Sequence, residues 1–150
     1  MSLDADVRRL SGVRPFNALP REALQLLAFS CEKRTLRAGE ALFSAGEPAD
    51  GAYFVLEGEV VLTRGDGERR AGVGALIGET ALLVETQRPA DARAARDCLL
   101  LRVPSATFRR VLSEFPQSAA AIRRAAAGRA GALLGRLEDL RRRAFAGRPA

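Results

Sequence analysis

Apolar residues along this chain change their spacing twice. Near the N-terminus they recur at helical intervals. Asp4 to Leu10 forms a short amphipathic stretch, and "RPFNALPREALQLLAFS" restarts a helix with Pro20 near its first turn. Leu24, Leu27 and Ala28 fall on one face of that second helix. From Cys31 the texture shifts to apolar runs of four to six residues, cut by Gly, Pro and Asp about every eight positions. That rhythm predicts an antiparallel sandwich or barrel. Within it "RGDGER" reads as a hairpin turn, its Asp66-Gly67 suited to the positive φ such turns require. "ARAARDCLLLRV" supplies the closing strands.

After Val103 the spacing is helical again. In "PSATFRRVLSEF" Ser105 is the expected N-cap, with Phe108, Val111 and Leu112 on one side, and Pro116 breaks the element. One long helix is then predicted from Gln117 to about Phe145. Along it Ala126, Ala130, Leu133, Leu137, Leu140 and Ala144 alternate at four and three, a heptad seam, while Arg129, Arg136, Arg141 and Arg142 lie off it. The stripe can pack on its own domain or pair two chains in parallel. Gly128, Gly131 and Gly135 each cost about 1 kcal/mol relative to Ala, so the helix needs packing to hold. The order is helices, β-rich body, helices: an α+β domain spanning 1–150, with no second domain.

Charge matters once it is located. The net charge is +6, yet the first 120 residues hold 16 Arg or Lys against 16 Asp or Glu and sum to zero. The whole excess sits in residues 121–150, where eight Arg face Glu138 and Asp139. A basic tail suits nucleic acid, a membrane surface or the solvated face of a helix. The neutral body argues against specific DNA binding.

The chain has no histidine and two cysteines, Cys31 and Cys98. Zinc and iron–sulfur centres ordinarily take about four such ligands, and Ser-His-Asp or Cys-His catalysis requires the missing imidazole. Both cysteines sit beside strand-like sequence and read as small core residues. No catalytic constellation remains, so no enzyme, metal or cofactor is expected. The opening "MSLDADVRRL" has no apolar signal core, and no apolar run reaches the roughly 20 residues of a membrane span. A cytoplasmic location is expected.

The stretch that carries chemistry is "GVGALIGETALLVETQRPADARA", Gly72 to Ala94. The glycine spacing fits neither a dinucleotide fingerprint nor a P-loop. What remains is a glycine-led turn of helix, "GETALLV", whose first amides lack helical partners and present the positive end of the dipole. Nine residues past Glu79 comes Arg88, the only basic side chain between Arg70 and Arg93. An arginine against such a turn makes a phosphate clamp. Glu79 would repel a bare phosphate but accept from a hydroxyl, so the pair together suits a sugar phosphate.

In these segments the chain resembles the cyclic nucleotide-binding domain of catabolite activator protein-like regulators, over roughly Phe16 to Leu140. "GEALFSAGEPADGAYFVLEGEVVLTR" looks like the family's first strands, with Gly39, Gly46 and Gly58 at the turns, and "GALIGETALLVETQR" looks like its phosphate-binding cassette. The resemblance implies a β-roll, a jelly-roll-like double-stranded β-helix, over about 31–103. N-terminal helices and C-terminal helices at about 105–145 flank it. It implies cAMP or cGMP as ligand: Arg88 on the cyclic phosphate, Glu79 on the ribose 2′-OH, and the amides of Gly78, Glu79, Thr80 and Ala81 as cradle. Pro89 and Ala90 follow the arginine in the same site. It also implies a regulatory sensor acting through a downstream protein, and a homodimer through the last helix. Family activators carry a helix-turn-helix after that helix; here "RAFAGRPA" stands instead, which leads us to expect a stand-alone domain without sequence-specific DNA binding. Two residues depart from the family pattern. Pro89 stands where an amide donor usually meets the phosphate, and it has no N–H; Asp91 adds a negative charge nearby. The alternative is a degenerate domain that serves as a dimerisation or docking module without ligand.

Overall fold

The computed structural model describes residues 3–129. The chain opens with helix α1 (Leu3–Ser11), a 3-10 turn (Phe16–Ala18) and α2 (Arg21–Ser30). Ten short strands follow: β1 (Glu32–Leu36), β2 (Ala41–Phe43), β3 (Pro48–Ala49), β4 (Gly51–Glu57), β5 (Val60–Arg64), β6 (Gly67–Ala71), β7 (Leu76–Ile77), β8 (Thr86–Gln87), β9 (Asp91–Ala94) and β10 (Cys98–Pro104). A single helical turn, α3 (Thr80–Leu83), interrupts them between β7 and β8, and α4 (Ser105–Glu114) succeeds them. After Phe115 the chain is helical again over 116–129, here α5. The heptad positions from Ala130 onward, with Gly131 and Gly135, lie outside the described residues.

The strands form two four-stranded antiparallel sheets, ordered β1-β10-β4-β7 and β2-β9-β5-β6, and a separate β3–β8 pair. One core fills the space between the sheets, with Leu36, Phe43, Tyr53, Val55, Val60 and Leu100 buried in it. A second lies between the first sheet and the helices, holding Leu10, Phe16, Leu27, Phe54, Leu101 and Phe108. Strands β4 and β10 therefore bury both faces. On β4, Tyr53 and Val55 point into the roll while Ala52 and Phe54 point to the helices. This is why "AYFVL" and "LLLRV" read as near-continuous apolar runs rather than alternating ones. Phe16 and Phe108 meet edge to face at 5.6 Å in the helical core, an arrangement the ring quadrupoles favour. The observed architecture is the α+β β-roll with flanking helices.

Two local expectations need correction. In the β5–β6 hairpin Arg64 pairs with Gly67, so the loop is Gly65-Asp66, and Gly65 carries the positive φ of 57°. A two-residue loop with glycine first is the pattern of a type II′ connection, one residue earlier than Asp66-Gly67. Ser105 is likewise not the N-cap of α4. That position belongs to Pro104, and the Ser105 hydroxyl is buried and donates to the Ala81 carbonyl at 2.8 Å. Tertiary contact to α3 has taken the oxygen that a cap would have used.

Both cysteines are free. The Cys98 thiol is buried and donates to the Glu59 carbonyl at 3.2 Å. Cys31 is half-buried and donates to Leu27 at 3.3 Å. Burial, aided by the charges of Asp6 and Glu32, pushes the Cys31 thiol up to about 12. Nucleophilicity belongs to the thiolate, so Cys31 should resist iodoacetamide at pH 8, Cys98 should be shielded from it by burial, and both should react fully once urea unfolds the chain. A folded-state pKa above the unfolded 9.0 also means that stability is complete below pH 9 and falls as pH rises toward 12. Rapid native alkylation, read by mass spectrometry, would contradict the packing described.

Candidate functional site

The site is organised by Arg88, at the end of β8. The β3–β8 pairing fixes its backbone: the Arg88 N–H donates to Glu47 at 2.8 Å, and its carbonyl accepts from Gly46 at 2.9 Å. Its side chain runs inward and is 4% exposed as a residue. One guanidinium nitrogen, Nη2, donates to the Gly51 carbonyl at 2.9 Å and lies 3.7 Å from Asp50 Oδ1. The guanidinium carbon sits 4.3 Å from the centre of the Phe43 ring, a cation–π contact. Burial lowers the pKa of the group, with Tyr53 and Asp50 pulling in the opposite sense, but arginine stays charged throughout the physiological range.

The other nitrogen, Nη1, is buried and has no hydrogen-bond partner among the described residues. An unsatisfied buried donor costs about 1–3 kcal/mol, and more when charged, so this atom fits an anion. It abuts Gly78, which has φ +81°, and a Cβ on Gly78 would stand 2.6 Å from it. Only glycine lets the turn and the guanidinium come this close.

Gly78, Arg88, Pro89 and Ala90 line one cavity of about 430 Å³, floored by Phe43, Leu62 and Ile77. That volume is in the ordinary range for a small-molecule site. Strands β5 and β6 add Arg64, Glu68 and Arg69 to its wall. The remaining expected residues are placed differently. The Ala81 amide donates to the Gly78 carbonyl at 3.1 Å and so is spent in closing the turn, as is that of Leu82 on Glu79 at 3.0 Å. The Ala81 carbonyl accepts from Ser105 at 2.8 Å and from Arg109 at 3.2 Å. The Glu79 and Thr80 amides, at the start of α3, are those that helical geometry leaves without an intrahelical acceptor. Their side chains line a second cavity of about 700 Å³, between α3, α4 and α5. There the Glu79 carboxylate accepts from Arg129 of α5 at 3.1 Å.

Asp91 does not line the cavity beside Arg88. Its Oδ1 accepts from the Ala45 amide at 2.7 Å and thereby fixes the turn after β2. Sequence reasoning missed Phe43, Gly51, Arg64, Arg69 and Arg129. Strand alternation carried a signal for one of them: Leu62 and Arg64 share a face two residues apart. Phe43, Gly51 and Arg129 come from distant segments and left none.

Comparisons with known proteins converge on one family. A sequence profile described as the cyclic nucleotide-binding domain matches residues 33–115. The solved structure of a cyclic nucleotide-binding-like protein from Brucella abortus is 40% identical, with a TM-score of 0.66, covering 73% of this chain and 99% of its own. The N-terminal domain of a transcriptional regulator from Streptomyces coelicolor superposes with a TM-score of 0.75 at 30% identity, covering 86% of this chain and 94% of its own. A cyclic nucleotide-gated potassium channel of Mesorhizobium japonicum is 36% identical over 124 residues, 82% of this chain. The chain spans 34% of that channel's length, and 7–25% of the other curated relatives it matches. Among the described residues no helix is long and apolar enough to cross a membrane.

A buried cation with an open donor should recruit small oxyanions. Binding at about tenfold over Kd contributes about 1.4 kcal/mol, or about 3–6 °C in Tm for a chain of this size. Sulfate at constant ionic strength should therefore raise Tm of the unmodified protein and of Arg37→Met, whose arginine is exposed elsewhere, but not of Arg88→Met. Equal responses from all three in scanning calorimetry would remove the anion site.

Proposed function

Because the chain belongs to the cyclic nucleotide-binding domain family, we propose that it binds cAMP or cGMP in the cavity beside Arg88 and acts as a regulatory domain that signals through a partner protein. The single observation that carries this reading is the buried, unpartnered Nη1 of Arg88. A cyclic phosphate there accepts from Nη1 and from the Glu79 and Thr80 amides, a charge-assisted set in a site walled by Phe43 and Ile77. Gly78 contributes by being small. Pro89 and Ala90 close the wall, and Glu79, whose carboxylate lines the second cavity, would turn from Arg129 to take the ribose hydroxyl. Asp91, tied to Ala45, adds no charge to the cavity wall.

The output runs through α5. The Glu79 oxygen that a ribose hydroxyl would use is held by Arg129, so ligand and helix address one carboxylate. Helix α5, whose Ala126 lines the same cavity against α3 and α4, would pass the change on to a downstream protein.

Two measurements test this. A phosphate oxygen facing the Pro89 ring forgoes one charge-assisted hydrogen bond, worth roughly 1.5–3 kcal/mol. Pro89→Ser should thus tighten cAMP or cGMP binding by about tenfold or more, and Arg88→Ala should abolish it in either background, as read by titration calorimetry. No gain in the first and no loss in the second would leave the docking-module reading in its place. Arg129→Ala should free Glu79. A half-exposed pair of this kind is worth about 0.2–1 kcal/mol, so affinity should rise by up to about fivefold; a fall in affinity would mean that Arg129 supports the ligand instead of competing with it.

A further inference from the structure

The hairpin wall of the cavity is more basic than a cyclic phosphate needs. In the antiparallel β5–β6 pair Leu62 lies opposite Arg69, and Arg64 lies opposite Gly67. Strand alternation puts Leu62 and Arg64 on one face, with Arg69 across from Leu62. This is the face that lines the cavity. The neighbouring Arg70, on the other face, is neutralised: Nη1 lies 2.7 Å from Glu59 and Nε lies 3.8 Å from Glu68. Among the described residues neither Arg64 nor Arg69 pairs with a carboxylate. The one carboxylate on the cavity wall, Glu68, is shared with Arg70. Three guanidiniums thus face a ligand whose single phosphate charge Arg88 already answers.

The two hairpin arginines are left to meet the part of the ligand that is not phosphate. Guanidinium donates only. The outer edge of guanine offers two acceptors, N7 and O6, whereas that of adenine offers N7 and an amino donor. We infer that Arg64 and Arg69 read the base, and that the site selects a 6-oxopurine cyclic nucleotide, cGMP, over cAMP. This rests on the cyclic-nucleotide reading above and goes beyond it by naming the base and the residues that choose it. Leu62, between the two arginines, supplies the apolar surface for the ring.

The test uses three ligands on the unmodified protein and on the double variant Arg64→Met, Arg69→Met. Both side chains are exposed on a hairpin, so the variant retains its core. Cyclic IMP has the O6 and N7 of guanine without its 2-amino group, and it isolates the proposed contact. Calorimetry should show cGMP and cyclic IMP binding about tenfold or more tighter than cAMP to the unmodified protein. The double variant should lose that preference, with cGMP and cyclic IMP falling about tenfold or more relative to cAMP. Equal binding of all three ligands, or a uniform loss for all three in the variant, overturns the inference and leaves the nucleotide site standing. Binding of none of the three overturns both readings.

Discussion

A charged guanidinium held almost out of contact with water is the constraint on which this structure turns. Arg88 is stable in that position only because several distant segments answer it. The Gly51 carbonyl takes one donor, the Phe43 ring covers one face, and Asp50 stands within 3.7 Å. Gly78 must lack a side chain for the turn to pass. The two-residue strands β3 and β8 have few hydrogen bonds to offer as a sheet, but they fix the backbone on both sides of the arginine. A buried charge that is not fully paired is costly unless something completes it, and Nη1, beside Gly78, has no partner among the described residues.

The doubly buried strands explain how such a site can speak to the rest of the molecule. Strand β4 presents Tyr53 and Val55 to the roll and Phe54 to the helices, so the two cores share one backbone. The turn α3 adds Leu82 to the helical core. Its Ala81 carbonyl is gripped by Ser105 and Arg109 of α4, while Glu79 at its start is gripped by Arg129 of α5. Both C-terminal helices are thus tied directly to the turn that follows Gly78. Close-packed interiors respond to small shifts by switching between arrangements rather than by stretching.

Much of this was legible in the residues alone. Periodicity separated helices from strands because helical and strand spacing place side chains on faces differently. Turn residues cut the strands, and the run from Gly78 to Arg88 stood out as the candidate anion site through elementary helix-end chemistry. The absence of histidine removed whole classes of reaction before any fold was considered. Local rules failed where a side chain had two possible partners. Ser105 reads as a cap and is claimed by Ala81. Asp91 reads as a repulsive charge in the pocket and is claimed by Ala45, 46 positions earlier. Glu79 reads as a sugar ligand, and its oxygen lies 3.1 Å from an arginine 50 positions later.

The sequence by itself determined the α+β fold class and put Gly78, Glu79 and Arg88 within one short segment, because each rests on spacing between near neighbours. Tertiary structure alone decided which atoms of those residues remain available. Whether Arg88 Nη1 is satisfied, whether the Ala81 amide is free and which way Asp91 turns all depend on partners brought together by the closing of two sheets. Hydrogen-bond partnership is a matter of a few tenths of an ångström between segments far apart in the chain, and no local pattern encodes that distance.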